Sequence, residues 1–366
     1  MYKMMTPGPT QVKENVRLAR ARECGNPDLD EAFFDFYKET CELISQLLHT
    51  QNETLILGGE GILGLEAACA SLTEPGDRAL VLDNGIFGEG FADFVSLYGG
   101  IPEMYTVDGK NPIDVQALEK FLEKNHDYKY ATLVHCDTPS GILNDIGSLC
   151  PLLKKYGILT VVDAVSSMFG EEVRVDDSEI DIVCGGSQKA VSAPPGLTFV
   201  TVSADAKKAM AERKTPIASF YANLQIFEGY YEKKWFPYTM PISDIYGLRA
   251  AMENIAADKG MLARHAKIAK ECRELLTEAG IKLYLQSGFS STVTVFDVPE
   301  GTTAQEILDI MRKERHILLA GSFGSLAGKV VRIGHMGSNA NEKDMAETME
   351  ALLQTLKKLG VELKGR

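Results

Sequence analysis

Between residues 54 and 205 the chain repeats one rhythm, a short apolar run followed by a stretch of helical composition. "TLILGG" precedes "GLEAACASL", "DRALVLDN" precedes "FGEGFADFVSLYG", "PEMYTVD" leads to "VQALEKFLEKN", and "YATLVHCDT" leads to "SLCPLLKKYG". "ILTVVDA", "EIDIVCGG" and "LTFVTV" complete the set. Strands that are apolar throughout and alternate with helices describe an α/β fold whose mostly parallel sheet is covered on both faces. Right-handed crossovers then bring the C-terminal ends of the strands to one edge, where such sheets bind ligands.

The rhythm breaks over residues 215–250, which hold the aromatic, proline-punctuated segment "TPIASFYANLQIFEGYYEKKWFPYTMP". Such a segment reads as a lid, a linker or a subunit contact. After it, "DKGMLARHAKIAKECRELLTEAG" predicts a long helix closed by Gly280. "IKLYLQ", "STVTVFDV", the helix "TAQEILDIMRKER", "ILLAGS", "VVRIGHMG" and a closing helix come next. The predicted organisation is an N-terminal segment over 1–14, a large domain over 15–254 and a smaller α+β domain over 255–366.

A net charge of −13 argues against nucleic acid or an anionic membrane surface as a partner. The opening residues "MYKMMTPGPTQVKENV" lack the apolar core of a signal peptide, and no stretch approaches the roughly 20 apolar residues of a membrane span. Seven scattered cysteines, never spaced C-x-x-C, predict reduced core thiols in a cytoplasmic protein. The six histidines show no metal-ligand spacing, so no metal site is expected.

Two residues stand apart. Lys189 lies in "GGSQKAVSAPPG", a glycine- and proline-shaped turn directly after an apolar strand. A lysine is ordinarily a solvated charge, but one at the ligand edge of a sheet is placed for Schiff-base chemistry once burial lowers its pKa. Asp163 ends "ILTVVDA", where it serves either as an N-cap for the next turn of the chain or as a buried carboxylate that keeps a pyridine nitrogen protonated. Their place on consecutive strand ends favours the second.

"LGGEGILGLEAA" holds Gly59, Gly61 and Gly64 in G-x-G-x-x-G spacing, with Asp83 ending the next strand. That pattern suits a nicotinamide dinucleotide, yet a glycine-rich turn into a helix N-terminus receives any phosphate. An NAD-dependent oxidoreductase is therefore the rival from another enzyme class, and it leaves Lys189 and Asp163 without a role. Arg332, between valine and isoleucine in "VVRIGHMG", is either an ion-paired structural residue or a bidentate clamp for a carboxylate. Phe87 in "DNGIFGEG" either packs in the core or stacks on a planar ring. His135 and Cys136 are adjacent, but successive strand residues point to opposite faces, so they do not form a catalytic pair.

The motifs "TPGPT", "GGEGILGLEAA", "NGIFGEGF", "HCDTPSGILNDI", "VVDAVSSMFG", "GGSQKAVSAPPG", "YTMPISDIYGLRAAM" and "VRIGHMG" together resemble the class V branch of fold-type I pyridoxal-phosphate aminotransferases. The likeness is to the alanine–glyoxylate and serine–pyruvate group and runs over nearly the whole chain. It implies pyridoxal 5′-phosphate bound as a Schiff base on Lys189, which also shuttles the proton. Asp163 would bind the pyridinium nitrogen, Phe87 and Val165 would flank the ring, and Thr138 would contact its phenolate side. Gln188, Gly61 and Ile62 would hold the phosphate. Arg332 would grip the substrate carboxylate, with Gly8 lining the same pocket. The resemblance further implies a homodimer whose partner completes the phosphate site through Thr239. The implied reaction moves an amino group from a small amino acid such as alanine or serine to a 2-oxo acid, pyruvate or glyoxylate. A 2-aminoethylphosphonate–pyruvate type of aminotransferase is the neighbouring alternative. A desulfurase is disfavoured, because Gln188 rather than histidine precedes Lys189 and Cys272 lies inside a helix.

The chain departs from the pattern twice. Glu60 stands where relatives carry a hydroxyl donor beside the phosphate, and the expectation is that it turns away or pairs with a nearby cation. Phe236 replaces a tyrosine that often reaches the phosphate, so either the cup has fewer hydroxyl donors and holds its cofactor less tightly, or other groups such as Tyr238 or Ser187 substitute.

Overall fold

A computed structural model describes residues 2–364, so residues 1 and 365–366 of the two predicted terminal segments lie outside the described residues. Its centre is a seven-stranded sheet of β1 (Glu53–Gly58), β2 (Arg78–Asp83), β3 (Ile101–Thr106), β4 (Tyr130–Val134), β5 (Leu159–Asp163), β6 (Ile182–Gly186) and β7 (Leu197–Val202). Their spatial order is β1-β7-β6-β5-β4-β2-β3. All residues of β4, β6 and β7 are buried, as unbroken apolar runs demand. The edge strand β3 differs, with Ile101 and Met104 exposed. β7 runs antiparallel to both of its neighbours, β1 and β6, while the other six strands share one direction, so the sheet is mostly parallel as expected.

Helices follow the parallel strands as the rhythm predicts: α3 (Gly61–Leu72) after β1, α4 (Ile86–Leu97) after β2, α5 (Val115–Leu122) after β3 and α6 (Ile146–Lys155) after β4. Asp114 and Asp145 cap the last two through their side chains, each such cap being worth about 1 kcal/mol. Before the sheet, α1 (Glu14–Arg20) and α2 (Glu31–Leu47) pack on α8 (Ile242–Ala257). The buried Tyr37 hydroxyl ties α2 to β1, donating to the Ile56 carbonyl at 2.9 Å and accepting its N–H at 2.8 Å. α7 (Ala204–Ala211) leads from β7 into the aromatic segment, where Phe227, Tyr230 and Phe236 are buried and Phe220, Tyr221 and Trp235 are exposed.

A second apolar core gathers α9 (Met261–Glu278), α10 (Ala304–Arg315) and α11 (Glu342–Lys358) around the antiparallel pair β8 (Val293–Asp297) and β9 (Val330–Gly334). The predicted long helix is α9, and Gly280 after it takes φ +83. "IKLYLQ" is not a ladder strand; Leu283 makes one isolated bridge to Phe296. "ILLAGS" forms a ladder strand over Ile317–Leu318, with the N-terminal Lys3–Met4, and Ala320 adds one isolated bridge to Arg332. The Lys3–Met4 pairing, and Met5 in the second core, carry the N-terminal segment across to the ligand edge of the large sheet.

Six of the seven cysteines are buried and Cys24 is exposed, so the core-thiol expectation misses at one position. No helix among the described residues is long and apolar enough to cross a membrane.

Candidate active site

The C-terminal ends of the parallel strands converge on a cavity of about 370 Å³. It is lined by Gly8, Gly61, Ile62, Phe87, Thr138, Asp163, Val165, Gln188 and Lys189, nine of the predicted site residues, together with Glu60. Arg332 and Thr239 are not among its walls.

Asp163 is the last residue of β5 and Lys189 lies three residues beyond β6, on the neighbouring strand. Asp163 is 5% exposed, and its Oδ1 accepts the Val165 N–H at 2.8 Å. Burial pushes its carboxyl up to about 7, against that hydrogen bond and the Lys189 charge. The side chain thus binds a following N–H as a cap would, and its second oxygen stays free of a hydrogen bond in a buried place.

The Lys189 Nζ donates to the Pro7 carbonyl at 2.6 Å. Burial first, then the Arg332 charge, pull its ammonium down to about 8, while Asp163 opposes. A minor fraction of free amine is therefore present near neutral pH, far more than for an ordinary lysine, as nucleophilic attack on a carbonyl needs. Gly8 has φ +91, and a Cβ there would fall 2.4 Å from the Lys189 Cδ, so only glycine lets the N-terminal segment pass this side chain.

Phe87 stands in the first turn of α4, and its ring meets Phe323 edge-on at 5.9 Å. Its backbone N–H donates to Asp137 Oδ1 at 3.0 Å. Asp137 also accepts the Ser140 hydroxyl at 2.7 Å and lies buried beside Thr138, fixing the turn that carries it. Sequence reasoning misses Asp137, although a signal exists, because it follows a strand end much as Asp163 closes one.

Arg332, on β9, donates from Nε to the Gly321 carbonyl at 2.6 Å and from Nη1 to the Thr138 carbonyl at 3.4 Å. Burial lowers it to about 10, against the Asp137 charge, so it is a cation at neutral pH. It reaches the cavity wall through Thr138 and leaves guanidinium donors unspent. Thr239 lies apart from its own cavity, its hydroxyl donating to Asp28 at 2.9 Å.

The glycine motif has a packing explanation. A Cβ at Gly64 would meet the Thr198 Oγ1 at 2.4 Å, and one at Gly61 would meet both Val165 methyls at 2.8 Å. Asp83, the residue a dinucleotide reading needs, is bound to the Gly85 N–H and the Thr106 hydroxyl and does not line the cavity. His135 and Cys136 do not bond each other: Cys136 contacts the Thr292 hydroxyl, and the buried His135 is lowered to about 4 by desolvation.

Glu60 contradicts its expectation. It neither turns away nor meets a cation within salt-bridge distance among the described residues. It caps α3, its Oε1 accepting the Ile62 N–H at 3.1 Å and its Oε2 accepting the Gln188 Nε2 at 3.0 Å. The physical reason is local: a free helix N-terminus and a buried amide attract the nearest carboxylate. Phe236 is buried and stacks on Phe34 with ring centres 4.4 Å apart. Ser187 is spent on the Pro194 carbonyl, and the Tyr238 hydroxyl has no partner among the described residues.

The sheet with its lysine and carboxylate on neighbouring strand ends defines a fold-type I transferase of the pyridoxal-phosphate class. The chain belongs to the class-V aminotransferase family, whose model matches residues 10–352. It is 34% identical over 366 residues to an uncharacterised aminotransferase of Methanocaldococcus jannaschii, covering 99% of this chain and 94% of that one. It is 33% identical over 323 residues to a pyridoxamine–pyruvate transaminase of Mesorhizobium japonicum, covering 86% and 81%. The crystal structure of a ureidoglycine–glyoxylate aminotransferase from Bacillus subtilis superposes with a TM-score of 0.96 at 27% identity, covering 100% and 95%. Membership implies dependence on pyridoxal phosphate. The ring fits the residues present, since Asp163 offers a buried carboxyl group and Lys189 an amine lowered to about 8. The phosphate does not fit the cup as it stands, because Glu60 takes the Ile62 N–H and the Gln188 amide at that end.

Proposed function

We propose that the cavity binds a pyridoxal ring and that the enzyme moves an amino group from a small amino acid, such as alanine or serine, to pyruvate or glyoxylate. One observation carries this reading: Lys189 and Asp163 share one buried cavity, with the lysine lowered to about 8 and the carboxyl raised to about 7. Asp163 would hold the ring nitrogen, and a cation there would offset the cost of its burial. Phe87 and Val165 would confine the ring faces, and Thr138 would meet its phenolate edge. The bound ring supplies an electron sink for the carbon that loses its proton. Lys189 would attack the aldehyde and carry the proton on its Nζ. Arg332 would orient the substrate carboxylate, and Gly8 would leave room for it.

Support for the acceptors comes from relatives whose names include pyruvate and glyoxylate. Pyridoxamine enters the donor panel through the first of those names, and 2-aminoethylphosphonate through the neighbouring branch. A homodimer that brings Thr239 to the partner's site, a division near residue 255, cytoplasmic residence and specificity written in residues 215–240 belong to the same proposal. The test is a donor–acceptor matrix with steady-state kinetics. Parallel double-reciprocal lines for one pair support two half-reactions, and no transfer from any donor contradicts the reading.

A further inference from the structure

We propose that this site takes the pyridoxal ring without its phosphate, as free pyridoxal or pyridoxamine, because Glu60 occupies the place of the phosphate. The proposal rests on the aminotransferase reading and names the vitamer for that same site.

The phosphate end of the cavity is built from the α3 N-terminus and Gln188. Glu60 satisfies a donor on each: the Ile62 N–H at 3.1 Å and the Gln188 Nε2 at 3.0 Å. Its negative charge already complements the helix dipole that a phosphate would otherwise use. A phosphate dianion would have to displace those bonds beside a carboxylate that meets no lysine or arginine within 4.0 Å among the described residues. Lys189, the cation lining this cavity, is turned to the Pro7 carbonyl.

Gln188 gives a second sign. It is 7% exposed, and its Oε1 has no hydrogen-bond partner among the described residues. The amide orientation follows from Glu60, since the reverse would set two acceptors against each other. This end of the site thus presents a carboxylate and an orphan carbonyl, both acceptors. A phosphate dianion brings further acceptors and no donor. The hydroxymethyl group of free pyridoxal or pyridoxamine brings one O–H donor and no charge.

A ring held without its phosphate anchor is a reactant that comes and goes. With pyridoxamine as donor, the C–N bond at the ring's aminomethyl carbon breaks and a C–N bond forms at the keto carbon of the oxo acid. The aminomethyl carbon is oxidised to the aldehyde, and the keto carbon is reduced to the amino-acid carbon. One proton passes from the first carbon to the second, and the keto oxygen is replaced through water. Pyridoxal and an amino acid leave, with no other oxidant or reductant.

The test is an absorbance titration of the purified full chain with pyridoxal and with pyridoxal phosphate, for the wild type, Glu60→Ser and Glu60→Gln. The expected wild type binds pyridoxal at least about tenfold more tightly than its phosphate. Glu60→Ser reverses the order and gains about 100-fold for the phosphate. Glu60→Gln keeps the cap acceptor without the charge and falls between, which separates charge from a folding defect. Inorganic phosphate should raise the melting temperature of Glu60→Ser and leave the wild type unchanged. Wild type that prefers pyridoxal phosphate, with a preference unmoved by either substitution, overturns the proposal while sparing the aminotransferase reading. Wild type that binds neither ring overturns both.

Discussion

Replacing Asp163 by asparagine should stabilise the ring-free protein while disabling it. The carboxyl is moved by burial from an ordinary 3.8 to about 7, which corresponds to roughly 4 kcal/mol at about 1.4 kcal/mol per pKa unit. Because the folded value is raised, the native state binds the extra proton between pH 3.8 and 7, and the wild type loses stability as pH rises through that window. Asparagine keeps an acceptor for the Val165 N–H and removes the buried charge. It also forgoes the attraction to Lys189, so we expect a gain of about 2–4 kcal/mol at pH 8. An unfolding entropy of about 2.1 cal/mol/K per residue converts this to a melting temperature about 3–5 °C higher in a chain of this length. At pH 4.5 the difference should shrink to about a quarter, because Asp163 is then protonated in the native state. Thermal melts of ring-free wild type and Asp163→Asn across pH 4.5–8 decide it. A difference that does not change with pH, or a variant less stable at pH 8, would refute burial as the dominant effect on Asp163.

Two further outcomes rest on the same geometry. Arg332→Lys keeps the charge but loses the planar fork, so KM for the oxo acid should rise about 10–100-fold with kcat changed far less; an unmoved KM removes Arg332 from the substrate site. Capture of the ring aldehyde by Lys189 should quicken about tenfold per pH unit below 8 and level off above it, as the free amine becomes dominant. Stopped-flow absorbance reads this rate, and a profile still rising at pH 10 would mean that burial does not lower the lysine.

The legible part of the molecule is whatever burial writes into a short run of residues. β4, β5 and β6 show as unbroken apolar runs, and the strand-end positions of Asp163 and Lys189 follow from them. Strand direction is not written that way: β7 is as buried as β6 and runs opposite to it. "IKLYLQ" alternates with Ile281 and Leu285 inward, yet the chain there bridges one residue of its neighbour, which composition cannot reveal. α2 and α8 escape the sequence reading although both carry a buried face.

The site divides in the same way. Eight of the nine predicted residues meet in one cavity because they follow strand ends or open helices, whose positions the sequence pattern fixes, while Gly8 arrives with the N-terminal segment. Glu60 stands out as a departure, but its direction depends on a contact with Gln188, 128 positions away, that no local pattern encodes. Asp137 escapes notice because its role is to hold the Phe87 N–H and the Ser140 hydroxyl, a three-dimensional bond between separate turns.

The most direct measurement is borohydride reduction of the purified protein after incubation with pyridoxal and, separately, with pyridoxal phosphate, followed by peptide mapping. The account predicts a protein that is yellow before reduction and carries the ring fixed on Lys189 after it, with more label from pyridoxal than from its phosphate. A protein that stays colourless before reduction, or label spread over surface lysines with Lys189 unmodified, would contradict it.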